Sequence, residues 1–302
     1  GGVGNQRPKG ARAAAYQVGR ACAANQHVIA RAALDIVIAR RGRSRADART
    51  HDHQIARPRI HRQIRALFTG IVQGQAKIVS VVDQRGQLAW TGSQEVDFRT
   101  LTVAFPPGAT QGIATGASVA VNGTCLTVTE IHPDHEDRLT FDVIDETLRR
   151  TNLDTLAPGS VCNYERSCKV GDEIGGHTVS GHIQTTATVR AITKTETNQR
   201  WSLVLTDPTY VKYILPKGFV AVNGCSLTVG EVMTASEDGG DGRDIDGSGF
   251  SIYLIPETLR VTTFGSLAVG DVVNIEVEAS TVAIVDTVER VVAQHLATRG
   301  LS

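Results

Sequence analysis

The sequence lacks long apolar stretches, has an odd number of cysteines and contains a single methionine, Met233. No run approaches the roughly 18 apolar residues that a membrane helix requires, which argues against a membrane-spanning protein. Five cysteines behind a start that is not signal-like do not suggest a disulfide framework. We therefore expect reduced thiols and a cytoplasmic location.

Acidic residues are scarce at one end of the chain. Residues 1–66 contain 14 Lys and Arg but only 3 Asp and Glu, whereas the other residues contain 17 and 28, so the net charge of zero hides an acidic body. Such a body argues against a nucleic-acid binder, which would present a basic face. We expect neither a nucleic acid nor a membrane as a partner.

The basic segment over residues 1–66 resembles no later part of the chain. Its composition is superficially typical of an organelle transit peptide or a basic arm. The simpler interpretation is an extension, non-native or disordered, that lies upstream of the true start. Deleting it should leave folding and activity largely intact.

The rest of the chain contains an internal duplication. The segment Val121–Val128 recurs as Val222–Val229, 101 residues later, and Phe68–Gln73 recurs as Val179–Gln184, 111 residues later. The difference between these two spacings places about ten extra residues before the first Val-Asn-Gly motif and about ten after the second. We expect both sets of extra residues in loops. A period near 110 residues is too long for a solenoid, so each copy should be a domain with its own core.

Short runs rich in Val, Ile and Thr, separated by turn residues, predict about six strands in each copy. Asn122-Gly123 and Asn223-Gly224 are strong tight-turn signals between such runs. The predicted fold is mainly β, with two homologous six-stranded antiparallel barrels of Greek-key type in tandem. The expected boundaries are 67–166 for barrel 1, 167–279 for barrel 2 and 280–302 for a C-terminal oligomerisation helix.

The periodicity changes after the second copy. Between Thr281 and Arg299, apolar residues recur at three- and four-residue steps, which predicts an amphipathic helix. Its stripe could pack on its own barrel or associate with the same helix of other subunits. The residues of the stripe are Val282, Val285, Val288, Val292 and Leu296.

Neither of two metal-like patterns in the sequence is convincing. The acidic, glycine-rich segment Asp238–Gly247 reads as a solvated hairpin tip, because Ile255 stands where a calcium loop needs Glu. Potential zinc ligands follow a spacing that matches no usual zinc motif. These ligands would be Cys162, Cys168, His177 and His182. We expect no metal.

Several ordered motifs together resemble the riboflavin synthase alpha chain family. They run collinearly from about Leu67 to Ala293, and Leu67 stands where the family has its initiating Met. The motifs begin at Phe68-Thr69-Gly70, Asn122-Gly123, Glu146-Thr147-Leu148, Gly175-Gly176-His177, Lys217-Gly218-Phe219, Gly224-Cys225-Ser226 and Leu254-Ile255-Pro256.

The resemblance implies a transferase that needs no cofactor. Two molecules of 6,7-dimethyl-8-ribityllumazine would dismutate to riboflavin and 5-amino-6-ribitylaminouracil, and two homologous barrels would hold them face to face. Proximity and orientation can then supply much of the acceleration. The resemblance also implies a homotrimer, with the first barrel of one subunit facing the second barrel of another. It further suggests an association with lumazine synthase.

The resemblance places substrate-binding residues in two groups. The first barrel would use Phe68, Gly70, Ile71, Val72, Leu126, Thr127, Asp142, Val143, Ile144, Asp145, Glu146 and Thr147, together with Cys125. The second would use Gly181, Ile183, Lys217, Leu227, Thr228, Leu254, Ile255, Pro256, Glu257, Thr258 and Leu259, together with His182 and Ser226.

Four residues are candidates for the chemistry: His182, Cys125, Ser226 and Ser118. His182 is the natural base or proton shuttle, although a histidine flanked by glycine can also simply pack. Cys125 and Ser226 occupy equivalent positions, so their difference can distinguish donor from acceptor, unless Cys125 only fills space. His177 and Asn163 are weaker candidates, and Glu278 stands where the family usually has Asp.

Two other functions fit the same pattern. A lumazine- or flavin-binding optical protein would hold one chromophore and catalyse nothing, and a structural oligomer would carry only relic pockets. Intact motifs in both halves favour the enzyme, and ligand titration would separate the structural oligomer from the other two.

Overall fold

A computed structural model describes residues 67–88, 95–134, 137–234 and 247–299. The expectations for residues 1–66 and for nearly all of the hairpin tip over 238–247 fall outside these described residues.

The first repeat closes into a six-stranded antiparallel barrel. Its β-branched runs form strands that follow one another around the barrel in the order β1-β2-β5-β4-β3-β6. The elements are β1 (Gly74–Leu88), β2 (Glu95–Ala104), β3 (Ser118–Val121), β4 (Thr124–Ile131), β5 (Arg138–Ile144), helix α1 (Asp145–Arg150), a 3-10 turn (Asn152–Thr155) and β6 (Val161–Arg166).

The second repeat builds a barrel with the same strand order, so the predicted fold of two antiparallel six-stranded barrels is confirmed. Its 3-10 turns are Pro208–Tyr213 and Thr263–Gly265. The other elements are β7 (Thr185–Lys194), β8 (Gln199–Leu205), β9 (Phe219–Val222), β10 (Cys225–Met233), β11 (Gly249–Leu254), helix α2 (Pro256–Val261), β12 (Val272–Val277) and helix α3 (Ala279–Thr298).

The length differences between the repeats fall at different places in the strand order. Ile78 pairs with Val103, whereas the equivalent Val189 pairs with Leu203, so the extra residues of repeat one lengthen the β1–β2 hairpin. β1 has 15 residues and β7 has 10, so the expectation of a loop is wrong there. The extra residues of repeat two come after β10, and nearly all of them lie outside the described residues, so the expectation of a loop there stays a prediction.

Each barrel encloses its own apolar core, because alternate strand residues point inward. Along β4, Leu126 and Val128 are buried in the core, whereas Cys125 and Thr127 lie on the other face of the strand. β10 repeats this alternation. The residues singled out for chemistry therefore lie on the outer faces of the barrels rather than inside them.

The two Asn-Gly turns pack against each other between the barrels. Asn122 and Asn223 both have φ of 45°, and the glycines after them have φ of 79° and 80°. A Cβ on Gly123 would lie 2.5 Å from the backbone nitrogen of Gly224, so the packing as well as the turn requires glycine.

Asparagine side chains complete this contact between the barrels. Asn274 donates from Nδ2 to the carbonyl of Asn122 at 2.9 Å, and Asn163 donates from Nδ2 to the carbonyl of Asn223 at 3.0 Å. The two bonds are equivalent under the pseudo-twofold relation of the repeats. Asn163, a weaker site candidate, is thus part of the barrel interface.

Helix α3 begins at Ala279, two residues before the predicted start, and docks on the second barrel through its first turns. Val282 packs on the core, Tyr213 Oη donates to Asp286 at 2.6 Å, and Lys212 Nζ lies 2.6 Å from Glu289. Val285 is half-buried. Five other large apolar side chains of the helix are exposed: Ile284, Val288, Val291, Val292 and Leu296. Among the described residues, no helix combines the length and apolar character needed to cross a membrane.

Candidate functional site

Two short segments, Phe68–Val72 and Val179–Ile183, cross between the barrels. They begin with a mutual bridge, in which Phe68 N donates to Val179 O at 2.8 Å and Val179 N donates to Phe68 O at 3.0 Å. Both side chains are 1% exposed and pack with Ala120 and Ala221. The side chain of Phe68 is therefore buried, so this predicted binding residue can offer only backbone groups to a ligand.

After the bridge, each segment runs along the barrel of the other repeat. The carbonyl of Gly70 accepts from Ser226 N, and the carbonyl of Gly181 accepts from Cys125 N, both at 2.8 Å. Val72 packs in the core of the second barrel. The predicted grouping is therefore wrong for these segments. Comparing the two copies identifies equivalent positions but cannot show that the segments are exchanged.

The approach at both crossings is close enough to need glycine. Gly70 has φ of 73° and a Cβ there would lie 2.6 Å from the Cβ of Ser226. Gly181 has φ of 80° and a Cβ there would lie 2.5 Å from the Cβ of Cys125. A side chain at either position would push the segment away from the strand that it meets.

A cavity of about 320 Å³ opens where the second segment meets the first barrel. It brings together six of the predicted residues: Cys125, Glu146, Thr147, Gly181, His182 and Ile183. The residues that the sequence did not indicate are Thr124, Arg150, Thr151, Gln184 and Tyr210. Tyr210 comes from the second barrel, so both repeats build this cavity.

Cys125 is half-buried and carries a protonated thiol. Burial raises its pKa, the negative charge of Glu276 raises it further, and a hydrogen bond with Ser118 opposes the rise. Since the thiolate is the nucleophilic form, this environment disfavours nucleophilic attack by Cys125. The side chain of His182 is exposed on the facing segment.

Ser226, the counterpart of Cys125, has a different partner. Nδ1 of His177 lies 2.6 Å from Oγ of Ser226, and the imidazole stacks on Phe219 with ring centroids 5.3 Å apart. Burial lowers the pKa of His177, while the charge of Glu278 opposes this. A neutral imidazole held against a hydroxyl can accept a proton.

The surroundings of Ser226 leave a partial signal in the sequence. The repeat spacing of 111 residues aligns His182 with Ile71, whereas the counterpart of His177 would be Ala66, which lies before the first repeat. The 101-residue spacing likewise aligns Phe219 with Ser118 and Lys217 with Gly116. The pairs that fall within the repeats differ, so the sequence marks the neighbourhood of Ser226 as distinct from that of Cys125.

The outer face of each short hairpin gathers further predicted residues. Ser118 pairs with Thr127 across β3 and β4, and Phe219 pairs with Thr228 across β9 and β10. Both threonines are exposed. Lys217 lies in the exposed turn before β9 with a φ of 65°. Ser118 and Thr127 thus lie on the hairpin that carries Cys125, and Phe219 and Thr228 lie on the hairpin that carries Ser226.

Other predicted binding residues point elsewhere. Four of them alternate with exposed neighbours and place their side chains in the barrel cores: Leu126, Val143, Leu227 and Leu254. Such residues can offer only backbone groups to a ligand. Ile144 and Ile255, which immediately precede α1 and α2, are 56% and 58% exposed.

The acidic residues of the two short helices are engaged with arginines. Glu146 accepts from Arg150 at 3.1 Å, and Glu257 accepts from Arg260 at 2.5 Å, which lowers the pKa of both carboxyls. Asp142 accepts from Thr100 at 3.0 Å. The remaining predicted positions, Asp145, Pro256, Thr258 and Leu259, lie on α1 and α2.

In the described part of the chain, no group of three or more His, Cys, Asp and Glu side chains is placed to hold a metal ion. Cys162, one of the zinc-like candidates, lies in the core of the first barrel and donates to the carbonyl of Ala76. The cysteines and histidines of that pattern are thus not brought together.

Comparison with known proteins gives consistent results. The lumazine binding domain model matches twice, over residues 69–167 and 180–278. Riboflavin synthase of Escherichia coli K12 is 47% identical over 227 residues, covering 75% of this chain and 94% of the relative. Riboflavin synthase of Mycobacterium bovis is 39% identical over 215 residues, covering 70% and 93%.

Solved structures show the same fold. The structure of LumP complexed with 6,7-dimethyl-8-(1'-D-ribityl) lumazine has a TM-score of 0.55 and 24% identity, covering 70% of this chain and 99% of that one. The LumP complex with riboflavin gives a TM-score of 0.55 as well. The tandem domain match and the curated relatives confirm the resemblance: the chain belongs to the riboflavin synthase family of duplicated lumazine-binding barrels.

Proposed function

We propose that the chain is a riboflavin synthase, a transferase that converts two molecules of 6,7-dimethyl-8-ribityllumazine into riboflavin and 5-amino-6-ribitylaminouracil. The observation that carries the proposal is that one peptide arrangement is built twice with different side chains. Gly181 meets Cys125 in one barrel, and Gly70 meets Ser226 in the other. Two similar pockets with different side chains suit a reaction between two identical molecules in unlike roles.

The reaction balances without a cofactor. One lumazine gives up a four-carbon unit and leaves as the pyrimidinedione product, and the other gains that unit and becomes riboflavin. Protons move between the two molecules and the protein. The chain must therefore orient two rings, accept a proton from one acidic methyl group and return it later in the reaction.

Two protein groups suit the proton transfers. The His177–Ser226 pair is proposed as the base in one pocket, because burial keeps the imidazole neutral and the hydroxyl lies 2.6 Å away. His182 is proposed as a proton shuttle in the other pocket, where it lies near Cys125. Because the thiol of Cys125 stays protonated, its proposed role is to interact with the substrate rather than to attack it.

The proposed assembly is a homotrimer in which the first barrel of one subunit, residues 67–166, faces the second barrel of another, residues 167–279. Residues 280–302 would associate between subunits, which is supported by the exposed apolar side chains of α3. The cysteines in the described residues are free, which suits the proposed cytoplasmic location. Association with lumazine synthase is a further proposal from the family resemblance.

The test is incubation of the purified protein with 6,7-dimethyl-8-ribityllumazine, with riboflavin followed by absorbance. We expect riboflavin to form at half the rate of lumazine consumption. A protein that binds the lumazine without consuming it would instead be an optical protein of the LumP type. A protein that neither binds nor converts it would be a structural oligomer.

A further inference from the structure

Two buried carboxylates lie behind the crossing segments. Glu165 in β6 and Glu276 in β12 occupy equivalent places in the two repeats and are 4% and 5% exposed. Within the described residues neither forms an ion pair, so hydrogen-bond donors must compensate for the burial of the charge. Burial raises the pKa of both carboxyls, and these donors oppose the rise.

Each carboxylate accepts from its own set of three donors, and the two sets are equivalent in the two repeats. Glu165 accepts from the nitrogen and hydroxyl of Thr69, at 2.6 and 2.8 Å, and from Gly70 N at 3.1 Å. Glu276 accepts from the nitrogen and hydroxyl of Ser180, both at 2.7 Å, and from Gly181 N at 2.9 Å. Each carboxylate thus holds the first half of a crossing segment.

The hydrogen bonds continue from the carboxylates to the pockets. The hydroxyl of Ser180 accepts from His182 N at 3.2 Å, and the carbonyl of Gly181 accepts from Cys125 N. In the other half, the hydroxyl of Thr69 accepts from Ile71 N at 3.3 Å, and the carbonyl of Gly70 accepts from Ser226 N. The repetition of this pattern indicates a built arrangement rather than a chance contact.

We propose that Glu165 and Glu276 are positioning residues, and that each sets the pocket of the opposite barrel. Glu276 belongs to the second barrel but fixes the peptide that faces Cys125 in the first. Glu165 belongs to the first barrel but fixes the peptide that faces Ser226 in the second. Thr69 and Ser180 connect each glutamate to its crossing segment through their hydroxyls. The inference rests on the proposed function only where turnover is the measurement.

The crossed arrangement can be tested without substrate, because Cys125 reports on the first pocket. The measurement is the iodoacetamide alkylation rate of Cys125 by peptide mass spectrometry, with Cys168, also half-exposed, as the internal reference. We expect Glu276→Gln to accelerate Cys125 alkylation several-fold. Glu165→Gln should leave it at the parental rate, as should the control Glu130→Gln on the exposed face of β4.

Removing the charge of Glu276 would by itself lower the pKa of Cys125, so a second variant separates charge from position. Ser180→Ala removes one donor and keeps the carboxylate. We expect it to accelerate alkylation as well. If Ser180→Ala has no effect, or if Glu165→Gln changes Cys125 as much as Glu276→Gln does, the proposal of crossed positioning is wrong. Ser180→Ala also allows the test if a Gln variant does not fold.

Turnover gives an independent readout. Glu165→Gln and Glu276→Gln should each lower kcat about tenfold, with unfolding midpoints still well above the assay temperature. Thr69→Ala, which lacks the hydroxyl, should also lower kcat. Thr69→Ser keeps the hydroxyl and should act like the parent. Parental kcat in both Gln variants would overturn the positioning role. If the parent makes no riboflavin, the proposed function fails, and the alkylation rates still decide the positioning.

Discussion

Cys125 and Ser226 occupy the same place in the two barrels, and the protein surrounds them differently. Cys125 has Ser118 beside it and keeps its proton, whereas Ser226 has an imidazole that can take one. The stacking of His177 on Phe219 fixes the plane of that imidazole. At the residue scale the two pockets therefore differ in their capacity to move protons, and this difference suits a donor and an acceptor.

Cys125→Ser tests the value of this difference. The change makes the pockets more alike at the crossing point, so we expect kcat to fall about tenfold while KM stays similar. Such a pattern indicates an interaction made mainly in the transition state. A tenfold loss corresponds to about 1.4 kcal/mol. Steady-state kinetics with the lumazine substrate measure both constants.

The matched control is Cys168→Ser, which changes a half-exposed cysteine outside the cavity and should be neutral. If Cys125→Ser matches the parent while Ser226→Ala is inactive, Cys125 is a packing residue. The assignment of the asymmetry to Cys125 would then be wrong.

Comparison of the two copies in the sequence predicts some of these residues and misses others for physical reasons. The pairs Cys125 with Ser226 and Ile71 with His182 stand out because packing demands are alike in both barrels. Glu165 differs in this respect, because it has the same residue at its counterpart and so gives no signal. Its role depends on three donors brought near by the fold, which no spacing reveals.

At the scale of elements, helix α3 has two parts with different surroundings. Its first turns are tied to the second barrel by Tyr213 and Lys212, and its later turns expose Val288 and Val292. The docked turns agree with packing of the stripe on its own barrel, and the exposed turns leave apolar side chains available for association with other subunits. The docked turns fix the direction in which the exposed turns project.

Removing residues from Thr281 onward should convert the proposed trimer into monomers with much reduced turnover. The helix supplies no residue to the cavity, so the loss of activity would come through assembly. Val292→Asp should have the same effect without removing the docked turns, whereas Gln294→Asp, at a polar position of the same helix, should not. Sedimentation velocity reads the outcome, and an intact trimer in the truncated protein would contradict it.

The strands are largely predictable from sequence, and the way in which the repeats join is not. Runs such as Ser118–Val121 and the Asn-Gly turns after them determine local structure through their own conformational preferences. The exchange of Phe68–Val72 and Val179–Ile183 between barrels depends on backbone hydrogen bonds, which either arrangement of equivalent segments could satisfy. The lengthening of β1 and β2 could not be predicted from the sequence either, because an insertion can extend a hairpin as well as a loop.

At the scale of the whole molecule, the barrels meet through polar groups and glycine as well as through the apolar cluster of Phe68, Val179, Ala120 and Ala221. Asn163 and Asn274 each bond the turn of the opposite barrel, so the interface is satisfied only when both repeats are present and in register. Gly123 and Gly224, which follow Asn122 and Asn223, lie so close to the opposite turn that neither position has room for a side chain. This geometry specifies one relative orientation of the two barrels.

Gly123→Ala should destabilise the protein by about 2–4 kcal/mol, since it adds strain at a positive φ and pushes the barrels apart. Gly108→Ala is the matched control, because Gly108 has the same φ of 79° with nothing within 4 Å of the added methyl. It should cost about 1–2 kcal/mol from strain alone. Urea unfolding measures both, and equal losses would show that the contact between turns is unimportant.

The paired turns also bear on how the protein ages. Asn-Gly is the sequence in which asparagine deamidates most readily, as the following backbone nitrogen attacks the side-chain amide. Here Asn122 Oδ1 accepts from Asn163 N at 2.9 Å and Asn223 Oδ1 accepts from Asn274 N at 2.8 Å, which holds both amides away from that attack. Each of these two bonds lies within one barrel, so deamidation at Asn122 or Asn223 should follow local opening of the barrel that contains it. The amount of isoaspartate in a stored preparation would then record how often each turn has opened.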